Sequence, residues 1–143
     1  MLDAPARRPE FYLAADESSQ SRTLRCDPDS VAVARRLVVA VLARWEMSED
    51  AVERAELVVS ELATNAIQHA RMRASSIRVA VSRVEDDHVQ VAVTDLDPRP
   101  LIRRQAGPYD EGGRGLDLVA ALSARWGCDY RPWGKRVWAE LAA

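Results

Sequence analysis

Three polar residues interrupt an otherwise regular apolar pattern between Glu56 and Ala70: Glu61, Asn65 and His69, each four residues after the last. At about 100° per residue the stretch indexes as a helix whose apolar arc holds Val58, Val59, Leu62, Ala63, Ala66 and Ala70. Steps of four overshoot a turn, so the polar stripe drifts from the border of that arc into it. A carboxylate, a carboxamide and an imidazole are thereby turned toward the protein or a cleft, where polar groups need partners. A second chemical signal is Gly112-Gly113-Arg114-Gly115 ahead of the helical run Leu116 to Ala124. Glycines at a loop-to-helix junction let several N–H groups converge beside the positive end of a helix dipole, which makes an anion site. Taken alone, the same run also reads as a flexible hinge with Arg114 in solvent.

The elements that must position these groups follow from period and punctuation. Asp27-Pro28 opens a first helix that runs to about Trp45, with Asp27 as N-cap, and Ser48 caps a second that runs through Glu61 to about Ala70. Thr23 to Cys26 reads as a short strand. Ile77, Val79 and Val81, then Val89, Val91 and Val93, alternate with polar or small residues around a turn at Glu85, Asp86 and Asp87, which is a hairpin with one buried face. Asp95 keeps the parity of the inward valines and points to the core face, unless it has already left the strand to cap the turn at Pro98. A long segment from Leu96 to Arg114 precedes the glycine turn, and a second hairpin, about Arg125 to Tyr130 and Arg136 to Leu141, ends the chain. The predicted fold is an α+β two-layer sandwich, a mixed, mostly antiparallel sheet covered on one face by about three helices.

The chain has 143 residues, 48% hydrophobic and 29% charged, with a formal net charge of -2. That fits one domain over residues 21–143 behind a disordered tail at 1–20, and argues against direct nucleic-acid binding through bulk charge. Cys26 and Cys128 have no CxxC spacing, no segment resembles a signal peptide, and Arg35 and Arg36 interrupt the most apolar run, so a cytoplasmic protein away from membranes is expected. The four tryptophans read as core and turn packing.

The helix with Glu61, Asn65 and His69, the strand end at Asp95 and the turn Gly113-Arg114-Gly115-Leu116, in this order, resemble the GHKL ATPase superfamily with its Bergerat fold, most closely the anti-sigma-factor serine kinases and related histidine-kinase-like ATPase domains. The resemblance implies ATP and Mg2+ as cofactors. It gives Asn65 the metal, Glu61 the catalytic role of orienting or deprotonating the attacking hydroxyl, and Asp95 a hydrogen bond from the adenine amino group. Gly113, Arg114, Gly115 and Leu116 would lie along the phosphates under a lid from Asp97 to Glu111. His69 fits the pattern too, although a core histidine bonded to a backbone carbonyl is the simpler reading. The implied function is a serine/threonine-protein kinase acting on an anti-anti-sigma partner, holding a sigma factor, and admitting a homodimer. Two departures stand out: Asp97 replaces a customary glycine, and Gly134-Lys135-Arg136 lacks the customary threonine, a change read at Arg136 and placed beside the adenine pocket. They motivate an alternative, a non-catalytic Bergerat-fold regulator with weakened or lost ATP binding.

Overall fold

The computed structural model describes residues 18–68, 76–84, 87–95, 113–132 and 134–142, with the backbone alone at 113–115. In chain order the elements are β1 (Ser19–Arg25), α1 (Ser30–Arg44), α2 (Glu49–Gln68), β2 (Ser76–Val84), β3 (His88–Asp95), α3 (Gly113–Leu122), β4 (Arg125–Arg131) and β5 (Gly134–Ala142). Residues 1–17, His69 and Ala70, the turn residues Glu85 and Asp86, Trp133 and the segment from Leu96 to Gly112, with Asp97 in it, lie outside the described residues.

The strands form one sheet in the order β1-β2-β3-β5-β4, and every pairing among the described residues is antiparallel. The three helices lie on one face. α1 packs over β1 and β2, α2 crosses β2, β3 and β5, and α3 lies against α2 and β4. The two-layer α+β architecture is the expected one, with an antiparallel rather than mixed sheet. Val38 and Leu42 of α1, Val58 and Leu62 of α2, Ile77, Val91 and Leu141 of the sheet, and Val119 of α3 are all buried. Each such side chain contributes about 1.5–3 kcal/mol by leaving water.

β1 begins at Ser19 rather than Thr23. Only Leu24 on it is buried, so no apolar alternation marks its length. Backbone pairing with β2, from Ser19 opposite Ser82 to Arg25 opposite Ser76, defines it instead. At the entry to α1 the Asp27 carboxylate accepts a 2.8 Å hydrogen bond from the Asp29 N–H, and Ser30 N–H donates to the Asp27 carbonyl at 2.8 Å. Asp27 therefore closes a turn ahead of the helix and is not its N-cap: the N-cap is Asp29, whose side chain makes no capping bond, and regular helix starts at Ser30. At the other end Met47 N–H reaches the Leu42 carbonyl and Glu46 N–H the Ala43 carbonyl, both at 3.0 Å, with Glu46 at φ 58°. This is a Schellman ending built on a residue with a Cβ. Ser48 then caps α2, its Oγ accepting from Ala51 N–H at 3.1 Å.

The helix-free face of the sheet is not simply wet. Ala92 and Thr94 of β3 are 2% and 9% exposed there, because their cross-strand neighbours on β5 are Trp138 and Arg136. Arg136 donates to Gln90 Oε1 at 2.6 Å and reaches Asp129 at 3.4 Å, which ties β3, β5 and β4 together. Trp138 rests on Gly127, where a Cβ would come within 2.7 Å of its ring, and the Arg125 guanidinium stacks on Trp138 while pairing with Glu140 at 2.9 Å.

Candidate functional site

The flank of α2 that carries the polar stripe is set by helical phase. Ser60 accepts a hydrogen bond from Arg35 of α1 at 3.3 Å and so marks the side toward α1. At about 100° per residue, Glu61 and Asn65 stand about 100° and 140° further round, past exposed Leu57, on the flank toward α3. Both side chains are partly buried. His69, the third member of the stripe, lies outside the described residues.

Asp95 belongs to β3. It pairs with Ile77 in the β2–β3 ladder and shares the helix-facing side with Val89, Val91 and Val93, so the inward parity holds and the carboxylate is a strand residue rather than a cap beyond the strand. Its backbone is closely approached. A Cβ built on Gly134, the first residue of β5 at φ 155°, would overlap the Asp95 carbonyl oxygen. Gly113, Arg114 and Gly115 form the first turn of the ten-residue α3, whose leading N–H groups have no helical partner. Leu116 is buried, and Val119, one turn on, belongs to the core next to α2.

One part of the sequence reading needs correction. Arg136 does not stand beside the Asp95 carboxylate. Register places Arg136 opposite Thr94 on the helix-free face, where Gln90 and Asp129 hold it. The residue on Asp95's side of β5 is Lys135, which has the parity of Val137, Ala139 and Leu141. The alternation of Val137, Ala139 and Leu141 in the sequence already implies that inward parity. Lys135 also bears on the Cys128 thiol, which has the same parity on β4: burial pushes this thiol up, against the opposing pull of the Lys135 ammonium and a hydrogen bond with Tyr130.

Among the described residues no group of three His, Cys, Asp or Glu side chains could hold a metal unaided. A hard cation at the Asn65 carboxamide would complete its shell with oxygens from a bound ligand and water, a common arrangement for magnesium. A cavity of about 370 Å³ between Trp45, Met47, Arg83 and His88 lies at the opposite end of β3 from Asp95 and plays no part in this arrangement. No helix among the described residues is long and apolar enough to cross a membrane.

A helical layer over an antiparallel sheet, with an asparagine-bearing helix beside a strand-end aspartate and a glycine-led helix, defines a GHKL-type ATPase domain. Residues 24–141 match the family described as the histidine kinase-like ATPase domain, and the chain belongs to that family. It is 40% identical over 75 residues to an uncharacterized protein of Streptomyces coelicolor, covering 51% of this chain and 70% of that one. It is 31% identical over 108 residues to the serine-protein kinase RsbW of Oceanobacillus iheyensis, covering 66% and 68%. Among solved structures, the RsbU and RsbW domains of Rv1364c from Mycobacterium tuberculosis superpose with a TM-score of 0.68 at 17% identity, over 87% of this chain and 32% of that one. The SiaB-SiaC complex from Pseudomonas aeruginosa gives a TM-score of 0.60 at 17% identity, over 85% and 88%. At these identities the structures share the fold.

Proposed function

We propose that the protein is an ATP- and magnesium-dependent serine kinase of the anti-sigma-factor type, which phosphorylates an anti-anti-sigma protein partner. The observation that carries this reading is the placement of Asp95 on the helix-facing side of the sheet, at the end of a strand crossed by the helix that bears Glu61 and Asn65. The residues fit a magnesium nucleotide. Asp95 offers a carboxylate acceptor for the adenine amino group, and Gly134, lacking a Cβ, lets the start of β5 approach the Asp95 backbone. Asn65 offers a neutral oxygen for the metal. The first turn of α3, formed by Gly113, Arg114 and Gly115, offers backbone N–H donors for phosphates, Arg114 is the cationic residue in that turn by type, and Leu116 directly after it is buried.

When bound, the magnesium nucleotide supplies the transferable phosphoryl group. Glu61, one turn before Asn65, orients the attacking serine hydroxyl and takes its proton. The relatives named serine-protein kinase RsbW support a kinase class, and the solved SiaB-SiaC complex supports a protein partner. The alternative of a binding module without catalysis keeps the missing threonine as a motive, but register moves that position from Arg136, on the far face of the sheet, to Lys135 on the side of Asp95.

The test is a pair of variants. Asn65→Ala should abolish magnesium-dependent ATP binding, whereas Glu61→Gln should bind ATP and fail to transfer phosphate to a serine-bearing partner. Undiminished transfer by Glu61→Gln would overturn the assignment.

A further inference from the structure

At the Asp95 end of the sheet, the last residues on the helix-facing side form a row: Ile77 on β2, Asp95 on β3, Lys135 on β5 and Tyr130 on β4. Ile77 opposes Asp95 and Tyr130 opposes Lys135 in the observed ladders. The β3–β5 ladder runs to Thr94 opposite Arg136, and one further step sets Asp95 beside Lys135. The two strands are still close at that step, since a Cβ built on Gly134 would overlap the Asp95 carbonyl oxygen. Neighbouring strands lie about 4.8 Å apart, well within reach of a lysine stem. The effect of the Lys135 charge on the Cys128 thiol is consistent with an ammonium on this side of the sheet.

We infer that Lys135 is an adenine-selecting residue, its ammonium donating a hydrogen bond to N1 of the base whose amino group Asp95 accepts. The inference rests on the nucleotide-binding reading given above and adds a residue to it. A carboxylate acceptor beside an ammonium donor matches the adenine edge, which presents an amino donor beside the N1 acceptor. Guanine presents the reverse at the same positions, an O6 acceptor and an N1–H donor. The carboxylate would then meet O6 and the ammonium would meet N1–H, so the pair of side chains both attracts adenine and repels guanine. A threonine hydroxyl can donate or accept, whereas an ammonium only donates.

The experiment is a titration of the full chain and of Lys135→Met with magnesium and either ATP or 1-deaza-ATP, in which a C–H replaces N1. The full chain should bind ATP about tenfold or more tightly than 1-deaza-ATP, as expected for loss of a charge-assisted hydrogen bond. Lys135→Met should lose a similar factor for ATP and no longer distinguish the two. Lys135→Arg, which keeps a donor, should retain the preference. A purely structural role for Lys135 would weaken both ligands alike and leave their ratio intact, and that result overturns the inference. Equal binding of both nucleotides by the unsubstituted chain also overturns it while leaving the nucleotide site standing. Failure of the unsubstituted chain to bind either nucleotide removes the nucleotide reading and this inference together.

Discussion

Gly134 stands so close to Asp95 that a Cβ on the first would overlap the carbonyl oxygen of the second. A side chain there must push the start of β5 away from the end of β3, and the φ of 155° adds backbone strain for any L-residue. Gly134→Ala should therefore destabilise the fold by about 2 kcal/mol or more, visible as a lower urea midpoint. It should also weaken ATP binding, because the displaced strand end carries Asp95.

Arg136 gives the opposite pattern. Its bonds to Gln90 and Asp129 lie on the helix-free face, and the Asp129 side chain is about half exposed. Arg136→Met should cost about 1 kcal/mol of stability and leave nucleotide affinity unchanged. Melting curves and ATP titrations of the Arg136→Met and Lys135→Met variants, run side by side, separate the two faces of β5.

These two residues also mark how far the sequence could be read. Strict alternation in Ile77 to Val81 and Val89 to Val93 made the central hairpin and the parity of Asp95 legible, because one face of each strand is fully apolar. The phase of α2 likewise carried Glu61 and Asn65 to the edge of its buried arc. β1 was only half legible, since a polar edge strand held by backbone bonds has no hydrophobic period to detect. The burial of Ala92 and Thr94 was hidden for a different reason: long side chains on the neighbouring strand cover them, not a helix. Gly134-Lys135-Arg136 offers two neighbours for the position facing Asp95, and only strand parity separates them, in favour of Lys135.

Glu46 occupies the left-handed position that ends α1, with φ 58°. Left-handed backbone is costly for a residue with a Cβ and free of that cost for glycine. Glu46→Gly should stabilise the protein by up to about 1 kcal/mol, read as a rise in Tm.

Two outcomes are expected at Cys128. Burial raises its thiol above the ordinary value near 9.0, so alkylation by iodoacetamide at pH 8 should be slower than for an unfolded control. In the unfolded chain the thiol ionises first, so the unfolded state binds fewer protons once the pH passes its value, and stability falls as pH rises from about 9 upward. Cys128→Ser should remove that alkaline component from a series of melts, whereas an unchanged slope would place its source elsewhere.

The most direct test of the account is calorimetric titration of the full chain with ATP, with and without magnesium, set against Asn65→Ala. The arrangement of Asp95, Asn65 and the first turn of α3 predicts magnesium-dependent binding in the unsubstituted chain and its loss in the variant. Absence of binding at millimolar ATP, or equal binding by Asn65→Ala, would contradict it.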